Sequence, residues 1–467
     1  MKTKTKCRFF KIENIFVIAA LLFGCIFSIM IPIEHVPDER THLLQMDQSY
    51  TGSIEHEEEI RLKYYEGQES EKTYKNEKHK INVDKYIKIG SQHFSEKFRI
   101  SDFHISLMAL KYVPMAIGFF AGLLLNASML VCLQLAEFTA LLFYIAMGYL
   151  ILKTAPVKKE IFLFALLMPM TMQQCSSVSY DAVIIPLCFF ITAYALKLKF
   201  QERKVVWKDI ILFLALLLLI TYIKLPYIFI GLLIFIIPVS KFDLKIGKKY
   251  DPVDFMLKYR VILIILLIII ISAAIYLSRG SMFTKVIISV FIHPVRFMYL
   301  ILNSIKIKIS WYIGSFVGDF AKFEAAAYTP FTLIIFFMVL TYLNLFASNT
   351  DVEKLGELKK RDRFILCIIS VIVILLIFVA MITWSYIVYG VGRDGNQSFF
   401  NAGLFKIGMI EGVQGRYLIP LFPALLIGLT GLNPERSRRW KNWLQVIYYV
   451  FMYGNAVIIF LYRFWIV

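Results

Sequence analysis

The sequence predicts an all-α polytopic integral membrane protein with about eleven transmembrane helices. Of its 467 residues, 59% are hydrophobic and 16% aromatic, more apolar surface than a soluble fold of this length can keep dry. Runs such as NIFVIAALLFGCIFSIMIPI (14–33) and VILIILLIIIISAAIYL (261–277) approach or match the ~20 apolar residues that cross a bilayer. Basic residues gather in short loops between such runs, the pattern of cytoplasmic segments. The net charge of +18 belongs to the same pattern, so the expected partner is the lipid bilayer and not nucleic acid.

The N-terminal MKTKTKCRFFK carries five basic residues and no acid, and is expected in the cytoplasm. The run 14–33 is too long for the apolar region of a signal peptide, and IPIEHVP offers no small-residue cleavage site, so it reads as a retained first span. Residues 34–104 carry fifteen acids against eleven bases and are placed outside. Within them EHEEEIRLKYYEGQESEKTYKNEKHK (55–80) reads as an external lid or solvated excursion. The basic loops 153–160, 197–208, 241–260, 353–363 and 435–441 are all placed in the cytoplasm. The economical way to hold them on one side is for 104–126, broken at Pro114, to lie in or dip into the outer membrane surface. It also makes 283–308, broken at His293–Pro294, an interfacial helix. The spans then fall near 14–33, 129–152, 159–175, 181–199, 208–222, 225–239, 260–278, 327–347, 364–388, 415–432 and 441–462. The chain reads as one transmembrane domain, 1–467, with 34–128 as an external first loop, 279–326 as a second external segment and an external C-terminus. Six scattered cysteines show neither a disulfide framework nor metal spacing.

On this topology the polar oddities share one face. Asp38, Glu39 and His42 follow the first span in EHVPDERTHLLQ, and SSVSYDA (176–182) brings Tyr180 and Asp181 to an outer turn. Lys224 breaks TYIKLPY, His293 and Arg296 sit on the interfacial helix, and Asp319 follows WYIGSFVG. EGVQGRYLIP (411–420), with Gln414, Arg416 and Tyr417, enters the tenth span. Ionisable groups at membrane depth are costly and tend to mark function. The plain alternatives stay open: Asp38 and Glu39 cap a helix starting near Arg40, Asp181 caps the fourth span, and Lys224 snorkels to the headgroups. The string GVGRDG (390–395) has dinucleotide-loop spacing, but it follows a membrane helix instead of a strand and is set aside.

VPDERTH (36–42), the Ser-x-Asp turn at 179–181, Lys224 near a mid-chain Tyr, and GVQGRYLIP (412–420) resemble the bacterial family called domain of unknown function 2142, grouped with the GT-C-type membrane glycosyltransferases. The resemblance runs over nearly the whole chain. It implies a GT-C-like fold in a bacterial plasma membrane and a sugar taken from a polyprenyl-phosphate donor on the outer face. It also implies an acidic residue in the first external loop that activates a glycan or lipid acceptor.

Under that resemblance Asp38 is the expected base, with Glu39 as its deputy, a helix cap, or with it a ligand for a divalent cation such as Mg²⁺ or Mn²⁺. Arg416 is expected on the donor phosphate, with Lys224 second. His42 orients Asp38 or meets the acceptor, and Tyr180, Asp181, His293, Arg296, Asp319, Gln414 and Tyr417 complete the expected cavity. The rivals are a flippase for lipid-linked saccharides, which needs no base, and a glycan polymerase or ligase, which differs in acceptor size.

Overall fold

The computed structural model describes residues 11–33, 35–52, 83–94, 99–245, 277–278, 280–318, 331–344, 358–389, 408–430 and 439–465. In chain order the helices are α1 (Ile12–Met30), α2 (Glu39–Thr51), α3 (Val83–Gly90), α4 (Val113–Leu124), α5 (Met129–Thr154), α6 (Lys159–Leu166), α7 (Pro169–Cys175) and α8 (Asp181–Phe200). They continue with α9 (Trp207–Ile223), α10 (Met282–Ile292), α11 (Pro294–Val317), α12 (Phe331–Asn344), α13 (Lys360–Tyr389), α14 (Phe422–Leu429) and α15 (Arg439–Phe460). Longer 3-10 segments run over Leu225–Ile236 and Gly415–Leu421. Among the described residues there is no strand beyond one isolated bridge, Val205 to Phe242.

Among the described residues, four helices are long and apolar enough to cross a membrane: α1, α5, α8 and residues 360–384 of α13. The pair α10–α11, bent by 102°, is a fifth if it counts as one span. The expected eleven are therefore not reached by unbroken helices among the described residues, and proline accounts for much of the difference. The expected span 159–175 is two short helices, because Met168 before Pro169 takes an extended backbone (φ −63°, ψ 134°). The run 225–239 follows an extended Lys224 and holds Pro226 in its first turn. It winds as a 12-residue 3-10 helix of about 24 Å, short of a ~30 Å hydrocarbon core. At 415–432 a 3-10 segment with Pro420 inside it gives way to the eight-residue α14. The expected span 260–278 and the excursion 55–80 lie outside the described residues, except for 277–278.

Two features used to set the topology are present in the backbone. The segment 104–126 holds a 3-10 turn and the 12-residue α4, about 18 Å long and too short to span. Pro114 does not break it, however. It stands in the first turn of α4, where its missing N–H leaves no helix bond unmade. His293, held non-helical (φ −122°, ψ 58°) by the following Pro294, is the corner between α10 and α11. A second irregularity falls within α11, at Lys308.

The described residues form two compact units. The first comprises Met1–Ala193, Gly314–Glu357 and Ile419–Val467. Its α1 packs along α5, with Phe16, Ala20 and Phe27 inward and Ile18, Leu22 and Ile29 exposed, an apolar outer stripe suited to lipid. Helix α4 also lies on α5, so closely that a Cβ on Gly118 would stand 2.0 Å from the Leu135 carbonyl oxygen; only glycine fits. Phe23 of α1 stacks on Tyr453 of α15 at 3.6 Å, and the Tyr453 hydroxyl donates to the Leu167 carbonyl at 2.9 Å. These contacts fix the end of α1, from which the next segment leaves.

The second unit comprises Tyr194–Ile313 and Leu358–Leu418. Its core joins α10, α11 and α13 through Val286, Phe297, Leu300, Phe378, Ile382, Ile410 and Val413. The 3-10 segment 225–236 packs between α9 and α13. A buried ion pair, Lys199 to Asp362 at 2.9 Å, ties the last turn of α8 to the first of α13. Arg203 and Asp209 pair at 2.7 Å beside the Tyr194 hydroxyl, closing the turn into α9.

Candidate functional site

In the first unit, the chain beyond α1 reverses through Pro32 and Pro37 and starts α2 at Glu39, one residue before the expected Arg40. Asp38 stands at the N-cap with a left-handed backbone (φ 65°, ψ 2°), a conformation that only glycine adopts freely and that Asp and Asn tolerate. Its side chain makes no capping hydrogen bond and is exposed. The helix-cap explanation of Asp38 therefore fails. Glu39 has the opposite surroundings: it is 0% exposed, and its Oε1 accepts the Val178 backbone N–H at 3.0 Å. Neighbours in sequence, the two carboxyls face different environments.

One helical turn on, His42 is buried, its backbone N–H donating to the Asp38 carbonyl at 3.0 Å. Its Nδ1 lies 3.0 Å from the Tyr112 hydroxyl, and that hydroxyl donates to Gln45 Oε1 at 2.8 Å. With the phenolic proton so placed, the Tyr112 oxygen accepts from His42 Nδ1–H, and in the neutral ring Nε2 carries the lone pair. Burial, reinforced by the Asp181 carboxylate, pushes the Tyr112 hydroxyl well above the ordinary phenol range, so it remains a donor. The His42 ring also stands edge-on to half-buried Tyr180, centroids 4.4 Å apart. Asp181 is the first residue of α8, and its own N–H donates to Ser179 Oγ at 3.1 Å. The hydroxyl capping this turn is thus Ser179, while Asp181 is buried and close enough to Tyr112 to act on it electrostatically.

In the second unit, Lys224 sits in the extended link between α9 and the 3-10 segment, its Nζ 3.9 Å from the centre of the Tyr417 ring. Arg416, 3% exposed, has its guanidinium carbon 5.4 Å from the centre of that ring. Tyr227 donates its hydroxyl to the Tyr417 carbonyl at 2.7 Å, fixing the backbone that presents both. Gln414 is buried and its carbonyl accepts the Tyr417 N–H at 3.2 Å, opening the 3-10 turn. Gly412, just before it, has φ +78°, and a Cβ there would meet Met381 Cε at 2.4 Å. Two expected phosphate-binding cations are thus brought round one aromatic ring. His293 is the corner of α10–α11, and Arg296 stacks on Tyr299 at 4.9 Å. Asp319 lies outside the described residues.

Sequence reasoning missed Tyr112, Tyr227 and Glu137. Glu137, buried on α5, accepts a hydrogen bond from Ser28 Oγ at 2.7 Å. A lone carboxylate inside the apolar run 129–152 was a visible signal. Among the described residues no three His, Cys, Asp or Glu side chains are grouped so as to hold a metal ion.

Residues 21–427 match the family described as "Predicted membrane protein (DUF2142)". No curated protein matches the chain, and no solved structure does.

Proposed function

Because the chain belongs to the DUF2142 family of predicted membrane proteins, a membership that names no reaction, we propose its activity from its residues: a membrane glycosyltransferase of GT-C type. It moves a sugar from a polyprenyl-phosphate carrier to a cell-envelope glycan or lipid on the outer face of a bacterial plasma membrane, with the N-terminus in the cytoplasm. The observation that carries this reading is Asp38: exposed, uncapped and held left-handed directly after the first span. A backbone in a sparsely populated region persists only where its surroundings over-determine it, and such residues cluster at functional sites.

In the proposed reaction the acceptor hydroxyl oxygen attacks the anomeric carbon. The bond from that carbon to the phosphate oxygen breaks with its electron pair left on the phosphate, and the hydroxyl proton passes to Asp38. Negative charge grows on the departing phosphate, and fixed cations there lower the barrier. Arg416, whose planar fork suits phosphate, and Lys224 take that role. His42 and Tyr112 supply a preorganised polar wall for the acceptor. This transfer needs no divalent cation to balance its atoms and charges. An acceptor that is itself a lipid-linked glycan would make the same step a polymerisation or ligation.

A second reading, a flippase for lipid-linked saccharides, draws on the 102° corner between α10 and α11, since broken helices mark many transporters. One experiment separates them. Transfer of a labelled sugar from a polyprenyl-phosphate donor by the purified protein supports the transferase. Movement of the donor across vesicles without transfer, undiminished in Asp38→Asn, supports the flippase.

A further inference from the structure

The 3-10 segment Leu225–Ile236 runs for 12 residues, although such helices rarely exceed about three or four because their hydrogen bonds are poorly aligned. That winding has a consequence for the side chains. At three residues per turn, positions three apart stand in line, so each row runs straight along the axis, whereas in an α-helix it would wind round it. One row is buried: Tyr227, Ile230, Leu233 and Ile236. The rows beside it are apolar and open. The first exposes Leu225 and Ile228. At its next position, Gly231, the segment lies against α9, where a Cβ would stand 2.6 Å from Leu217 Cδ2. The second row is exposed at Phe229 and again at Phe235. An open apolar track therefore starts beside Lys224, passes from one row to the other at Gly231, and ends at Phe235, about 22 Å from Lys224 along the axis.

We propose that this track seats the polyprenyl chain of the donor, a single long apolar tail whose phosphate lies on Lys224 and Arg416. Two observations join the track to those cations. Lys224 directly precedes the segment, its Nζ 3.9 Å from the centre of the Tyr417 ring, and Arg416 flanks the same ring. Tyr227, from the buried row, donates its hydroxyl to the Tyr417 carbonyl at 2.7 Å, so the segment that carries the track also fixes the backbone that presents the cations. Positive charge at one end and apolar surface along the rest complement a lipid phosphate. A straight track suits one extended chain, where a phospholipid brings two tails. Covering the chain's methylene groups supplies affinity, and the cations fix which end lies where. For the phosphate site at its head the proposal rests on the transferase reading, and that reading does not depend on the track.

The test uses the full-length purified protein in phospholipid nanodiscs and a sugar-free probe, polyprenyl monophosphate with a diazirine midway along its chain. A phosphatidylglycerol with a diazirine in one tail serves as the comparison. After illumination, mass spectrometry locates the label. The polyprenyl probe should mark 225–236, and unlabelled polyprenyl phosphate should suppress that marking where added phosphatidylglycerol does not. Ile228→Ala and Phe235→Ala each strip apolar surface from the track and should weaken probe binding about tenfold, while Ile228→Leu and Phe235→Leu, which keep it, should bind like the parent. Both positions are exposed, so all four variants should melt like the parent. Geranyl phosphate, too short to reach Phe235, should lose affinity in Ile228→Ala and keep it in Phe235→Ala. Equal marking by the phosphatidylglycerol probe, or marking that polyprenyl phosphate does not compete away, makes the track an ordinary lipid-facing surface and overturns the proposal. Absence of marking, or alanine variants that bind like the parent, overturns it too. Because the probe carries no sugar, the two readings fail separately. Sugar transfer without marking of 225–236 leaves the transferase and removes the track; competed marking without transfer leaves the polyprenyl site and removes the transferase.

Discussion

Replacing Asp38 with Asn separates chemistry from architecture at one atom. The structure sets the architectural cost low. The side chain is exposed and makes no capping bond, and Asn tolerates a left-handed backbone as Asp does, so stability should change by no more than about 0.5 kcal/mol. The chemical cost is much larger. Losing a general base typically slows a reaction ~10²–10⁴-fold, which at 1.36 kcal/mol per tenfold is about 3–5 kcal/mol of barrier. Two controls bracket the result. Asp38→Gly keeps the backbone relaxed and removes the carboxylate, so it should be stable and as slow as Asn. Asp38→Ala adds about 1–2 kcal/mol of left-handed strain and should lose stability as well as rate.

The assay uses purified protein in lipid nanodiscs, polyprenyl-phosphate donors carrying different labelled sugars, and envelope glycan acceptors. Thermal stability and donor binding are measured on the same preparations. The reasoning predicts an Asn variant that binds donor and melts like the parent while transfer falls at least a hundredfold, the lower end of the range for a lost base. Near-parental transfer by Asp38→Asn would refute it. Asp38 would then be an irregular turn residue and the base would have to be sought elsewhere, with His42 Nε2 first in line.

Three further outcomes follow from other parts of the molecule. Arg416→Lys keeps the charge and loses the bidentate fork, so transfer should fall strongly with folding intact; full activity would show that any cation beside Tyr417 suffices. Gly118→Ala places a methyl against the Leu135 carbonyl and should lower stability by about 1–3 kcal/mol in a thermal unfolding assay, whereas Ile117→Ala, at an exposed position of the same helix, should change it far less. Single cysteines at Ile60 and Asp394 should react with a membrane-impermeant thiol reagent in intact cells while one at Gly356 should not, and labelling of Gly356 would invert the topology.

The helical membrane character was legible because it depends on composition, and composition is local. The number of unbroken spans was not, although its cause was in plain view. Pro169, Pro226 and Pro420 interrupt runs whose mean hydropathy stays high, since a proline alters backbone geometry without altering apolarity. The corner at His293 was legible for the same reason, an X-Pro pair flanked by basic residues. Lys224 and Tyr417 stand 3.9 Å apart across a sequence separation that no pattern within one chain reveals; each was visible only as a local oddity.

The pair Asp38–Glu39 shows most clearly what sequence adjacency leaves open. As neighbouring letters the two carboxylates suggest shared work, a base with its deputy or two ligands for one cation. The first turn of α2 divides them: the left-handed residue at the N-cap leaves Asp38 exposed, while the next residue, the first with helical geometry, is buried with its carboxyl on the Val178 N–H. A buried carboxyl that already holds a backbone N–H is poorly placed to take a proton from an incoming acceptor, because it is shielded from that acceptor and its bond must first be given up. On the proposed reading the two residues have different work, proton transfer for Asp38 and support for Glu39, and the distinction is testable. Glu39→Gln, which can still accept from the Val178 N–H through its carbonyl, should keep most of the activity that Asp38→Asn loses.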